Sequence, residues 1–111
     1  MALSNEERYG IEKYIEWSRA YHEKKLAKTS KLSVRVDFFD GILDALDNAE
    51  FALDYCNTTE EYVDELKTLY ESEWKSYKEL KRTTNYADAH YYHGSANTLK
   101  RLISHAELMF I

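Results

Sequence analysis

The sequence predicts an all-α fold, a four-helix bundle of two tandem antiparallel hairpins, and three observations carry that expectation. Proline is absent and only three of the 111 residues are glycine. Proline breaks helix interiors but is common in loops, so its absence favours long helices joined by short turns. Apolar residues recur at helical spacing in four long stretches. Two of those stretches share a pattern: Phe39, Ile42, Leu46, Ala49, Leu53 and Cys56 follow 3-4-3-4-3 spacing, and Tyr92, Ser95, Leu99, Leu102, Ala106 and Met109 repeat it 53 residues later. Such spacing is the a/d seam of packed helices.

The first helix is expected from about Asn5 to Lys28, opened by the capping box Ser4-x-x-Glu7 and carrying Ile11, Tyr14, Ile15, Trp17 and Tyr21. The second runs from about Ser33 to Cys56. Thr29-Ser30 and Ser33 compete as its start, and Val34-Arg35-Val36 could begin extended. The third opens at Asn57-Thr58-Thr59-Glu60-Glu61 and reaches about Arg82, with Val63, Leu66, Tyr70, Trp74, Tyr77 and Leu80 on its apolar side. The fourth follows Thr83-Thr84-Asn85 and continues to the C-terminus. Acids at Glu6, Glu7, Glu60 and Glu61, and bases at Lys24, Lys25, Lys28, Lys78, Lys81 and Arg82, complement the helix dipoles.

The repeat extends beyond the seam. Asp37-Phe38-Phe39-Asp40-Gly41 aligns with His90-Tyr91-Tyr92-His93-Gly94, and Tyr9 with Tyr62; Glu16-Trp17 and Glu73-Trp74 align only after a shift of about one turn. This reads as an old duplication of one αα-hairpin, giving a single domain with hairpins at about 4–56 and 57–111. Short connections make sequential helices antiparallel, so the second and fourth should run parallel. Gly41 and Gly94, inside helices, point to a close approach of backbones.

Composition narrows the function classes. At 44% apolar and 32% charged the chain is an ordinary globular sequence. No window approaches the roughly 18–20 apolar residues of a membrane span, and the first residues do not resemble a signal peptide. A single cysteine, Cys56, sits on the apolar seam and is expected to be a buried thiol. These features favour a soluble, cytoplasmic protein. The net charge of −5 disfavours nucleic-acid binding.

That charge is concentrated. Between Ser33 and Cys56 there are six acids and one base, Arg35, a difference equal to the net charge of the whole chain. Phased on the seam, Asp37, Asp40, Asp44, Asp47 and Asp54 form an outward ridge, joined by Phe51 and Tyr55. Like charges at this spacing repel one another, and an outward phenylalanine has no packing role in a monomeric bundle. Together they suggest a surface that steers a basic protein partner and anchors it with an aromatic ring. On that reading, Asp44→Lys with Asp47→Lys abolishes capture without loss of stability.

Other constellations are weaker. His90-x-x-His93 has metal-ligand spacing, but the seam phase turns both histidines outward as surface groups, and no metal is expected. The aromatic residues Tyr14, Trp17, Tyr70, Trp74 and Tyr77 fit core faces better than a ligand cage. No nucleophile has a base partner and no phosphate-binding loop is present, so neither catalysis nor a cofactor is expected. A structural protein that self-associates through Phe51, Tyr55 and Leu108, as a homodimer or a virion-assembly component, is the main rival. A nucleic-acid binder using Lys75, Lys78, Lys81, Arg82, Lys100 and Arg101 ranks third.

The run Tyr91-Tyr92-His93-Gly94-Ser95-Ala96-Asn97-Thr98-Leu99, leading into Ile103-Ser104-His105-Ala106-Glu107, resembles the final helix of small phage-encoded helical proteins. The resemblance covers about 20 residues. It implies a phage or prophage origin and no particular activity. Combined with the acidic ridge, it suggests an inhibitor or modulator of a host or defence protein.

Overall fold

A computed structural model describes residues 3–30, 33 and 35–109, with only the backbone of Met109. Four helices account for most of them: α1 (Asn5–Ala27), α2 (Arg35–Tyr55), α3 (Thr59–Leu80) and α4 (Tyr86–Met109). No helix among the described residues is long and apolar enough to cross a membrane. The extended start considered at Val34, the Met109 side chain and the chain end beyond it lie outside the described residues.

Each helix begins where a side chain can satisfy its free N–H groups. Ser4 Oγ accepts from Glu7 N while Glu7 Oε1 accepts from Ser4 N, both at 3.1 Å, completing the capping box. Ser33, rather than Thr29 or Ser30, precedes α2: its Oγ accepts from Arg35 N and its carbonyl from Val36 N. Thr58 Oγ1 accepts from Glu61 N at the start of α3, and Asn85 Oδ1 from Asp88 N at the start of α4.

The α2–α4 interface is the most extensive, with α1 laid on α2 and α3 on α4. Contacts fix the directions. Arg8 reaches Leu53 and Arg19 reaches Asp47, so α1 and α2 are antiparallel. Lys67 meets Glu107 and Tyr77 stacks on His93, so α3 and α4 are antiparallel. Near one end Tyr14 of α1 stacks on His105; near the other Gly41 meets Tyr91 and Ser95. α2 and α4 therefore run parallel.

All six seam residues of α2 are buried, as are Ser95, Leu99, Leu102 and Ala106 of α4; Tyr92 is half-buried. The buried face of α2 is wider than the seam. Ala45 and Ala52 are fully buried beside it, and Gly41 is buried too. These small residues admit α4. A Cβ on Gly41 would fall on the Tyr91 carbonyl and lie 3.1 Å from Ser95 N; one on Gly94 would fall on the Phe38 carbonyl and lie 3.3 Å from Ile42 Cγ1. The contact is reciprocal: residues 38 and 41 stand to α4 as residues 91 and 94 stand to α2. Glycine removes the atom that would hold the backbones apart.

The outer helices are less alike. Ile11 and Ile15 of α1 and Tyr62 and Leu66 of α3 are buried. Tyr62 donates from its hydroxyl to the Ala49 carbonyl at 3.2 Å, whereas Tyr9, its sequence counterpart, is exposed with Lys13 Nζ 5.4 Å from its ring centroid. The expectation that Trp17 and Tyr21 join the core is wrong. Trp17 is 63% exposed and Tyr21 44% exposed. From Ile11 and Ile15 the buried stripe of α1 continues to Ser18 and half-buried His22, and Trp17 lies off it.

Candidate functional site

The acidic residues of α2 do lie outside the seam, and the neighbouring helices sort them into three groups. Toward α1, Arg19 binds both Asp47 at 2.8 Å and Glu50 at 3.3 Å, while Arg8 lies 3.7 Å from Asp54. Burial works against the Arg19 charge, yet hydrogen bonds to Glu50 and Asp47 outweigh it and hold its pKa above the usual value. Toward α4, Asp44 accepts a hydrogen bond from the Tyr91 hydroxyl. Asp37 and Asp40 make no ion pair among the described residues. Burial, then the neighbouring charges of Asp37 and Asp44, pushes the Asp40 carboxyl above the usual carboxylate range. The two ends of the ridge thus differ: Asp47 and Asp54 are partly compensated, and Asp37 and Asp40 are not.

Phe51 and Tyr55 sit one turn apart with ring centroids at 5.5 Å. Phe51 is 66% exposed and Tyr55 nearly half. Tyr55 opens onto a groove shared with Glu61, Asp64 and Glu65 of α3. Burial and a hydrogen bond to Glu65 push the Tyr55 hydroxyl up to about 12. Cys56 borders the same groove, and burial, with Glu65 and Glu61 nearby, raises its thiol pKa, which disfavours the reactive thiolate. The α3 carboxylates extend the acidic surface across the α2–α3 boundary. Sequence reasoning confined to α2 missed them; of the three, only Glu61 lies in the first turn of α3, where its acidic character was legible.

Leu108 lies elsewhere. It is exposed in a groove between α1 and α4 with Tyr14, Lys100 and Arg101, so it shares no groove with Tyr55. Lys75, Lys78, Lys81 and Arg82 are exposed along α3 and just past its end. Lys100 and Arg101 face the α1 side, so the six bases do not line one groove.

His90 is half-buried, and His93 departs further from the expectation of two surface histidines. It is half-buried, stacked on Tyr77 at 4.7 Å and 5.7 Å from Phe38, with Asn97 Nδ2 3.2 Å from its Nε2. Burial and the nearby His90 lower its pKa. The reason is that α3 covers this flank of α4. Among the described residues no group of three or more potential ligands could hold a metal ion.

His93 also belongs to a chain of rings. From Tyr70 through Trp74, Tyr77, His93, Phe38, Phe39, His22, Tyr21, Trp17 and Tyr14 to His105, successive centroids are 4.3–6.4 Å apart. The chain touches all four helices. No protein-family model, curated protein or solved structure matches this sequence.

Proposed function

We propose that the chain is a protein-binding module whose working surface is the α2 face formed by Asp37, Asp40, Asp44, Asp47, Phe51, Asp54 and Tyr55. The observation carrying this reading is the exposed Phe51–Tyr55 ring pair set among carboxylates. Isolated exposed apolar residues are normal on protein surfaces. Two contacting rings inside an acidic field combine an anchor with long-range steering. The partner is a protein with a basic surface and an apolar recess for Phe51. The phage-like pattern of α4 would make that partner a host or defence protein and this chain its modulator.

The geometry selects the test. Asp44 and Asp47 have internal partners in Tyr91 and Arg19, so reversing them would disturb the bundle as well as the surface. Asp40→Lys with Phe51→Ala alters the face without removing a described hydrogen bond or ion pair. Affinity capture from host lysate should retain a partner on the wild type, release it as salt rises, and lose it with this double variant. Capture by the double variant at wild-type yield would reject the surface.

The chain also reads as a duplicated hairpin. Support comes from the reciprocal glycine contacts and from Asp54–Arg8 and Glu107–Lys67, ion pairs whose acids are 53 residues apart.

A further inference from the structure

On the side of the bundle where α1 meets α4, the charge pattern reverses. A cavity of about 440 Å³ opens between the end of α1, the beginning of α2 and the middle of α4. Lys25, Arg35 and Arg101 line it, one from each helix, and no carboxylate belongs to its described lining. None of the three bases makes an ion pair among the described residues. In a chain with 20 acids and 15 bases, this convergence runs against the average. Arg35 is also the first residue of α2, so the positive end of that helix dipole adds to the field.

The floor is apolar and aromatic. Phe38 and Phe39 meet at 5.9 Å, Ile42 lies beside them, and His22 is 6.2 Å from Phe39. Neutral His22 donates from Nδ1 to the Ser18 carbonyl at 2.8 Å. Burial, with the nearby charges of Arg101 and Lys25 adding to it, lowers its pKa. Asn97 also lines the cavity, with its Nδ2 held 3.2 Å from His93 Nε2.

We infer that this cavity binds a small organic phosphate carrying a planar ring, with Lys25, Arg35 and Arg101 on the anion and the half-buried Phe38 against the ring. Arginine suits a phosphate through its planar, multiply donating guanidinium, and the volume falls in the range of small-molecule sites. A ligand of this class supplies both the negative charge and the apolar surface the cavity lacks. The site is independent of the acidic α2 face.

Calorimetry and amide chemical shifts on the full chain test it with adenosine monophosphate, cytidine monophosphate and phenyl phosphate. Adenosine and inorganic phosphate serve as half-ligands. At least one ring-bearing phosphate should bind ten-fold or more tightly than either half and shift the amides of Arg35, Phe38 and Arg101. Arg35→Gln and Arg101→Gln, both at exposed positions, should each weaken it by ten-fold or more with unchanged helicity, while Asp40→Lys with Phe51→Ala leaves it intact. The inference fails if none of the three probes moves those amides at 10 mM. It fails equally if inorganic phosphate binds as well as the best probe, or if both arginine variants keep wild-type affinity.

Discussion

Glu73 has a buried side-chain oxygen, Oε2, without a hydrogen-bond partner among the described residues. Burial, and secondarily Asp44, raises its pKa. The consequence for stability has a definite sign. As pH rises past the ordinary glutamate value, the unfolded chain ionises while the folded one still holds the proton, so stability falls until the folded group also ionises. Glu73→Gln should therefore raise stability at pH 7, on the order of 1 kcal/mol, and change little at pH 4; denaturant melts at both values check this. A loss of stability at pH 7 would contradict it. Tyr62→Phe removes a buried hydroxyl from the Ala49 carbonyl and should cost about 1 kcal/mol in the same assay. The contrast between buried Tyr62 and exposed Tyr9 was hidden from the sequence. Both are tyrosines, 53 residues apart, and Tyr62 reaches the Ala49 carbonyl of α2 while Tyr9 stays in water.

Between elements, the α2–α4 contact depends on two absent methyl groups. Gly41→Ala and Gly94→Ala would each gain about 1 kcal/mol of helix propensity. Each would also force a Cβ against an opposing backbone carbonyl, which cannot rotate away as a side chain can. The net expectation is a loss of about 1–3 kcal/mol, read by thermal melting; an unchanged or raised Tm for either variant would remove the close approach from the account. The sequence indicated this approach because glycine inside a helix is costly without a reason. It also indicated the seam, since a/d spacing follows from helical geometry alone. Ala45 and Ala52 lie on Gly41's side of the helix and are buried with it, but how far a helix is covered on its other sides depends on how many neighbours it has. For the same reason His93, outward by phase, ends between Tyr77 and Phe38.

Across the whole molecule, charge is unevenly spread: Tyr55 shares a groove with the α3 carboxylates Glu61, Asp64 and Glu65, while Lys25, Arg35, Lys100 and Arg101 face the α1–α4 side. Neither hairpin buries its seam by itself, because each central helix finds its largest partner in the other hairpin. Residues 57–111 alone should consequently show helicity that rises with concentration, as seams pair between copies. A fully helical monomer at low micromolar concentration, measured by circular dichroism and light scattering, would refute that. By itself the sequence determined the helices, the caps of α1 and α3, the seam and the acidic character of α2, because these rest on local propensity, period and charge count. Tertiary structure alone decided which carboxylates found arginines, which aromatic rings stayed in water, and that three distant bases converge on one cavity. Those outcomes depend on the offset and rotation between helices, and no short-range pattern encodes them.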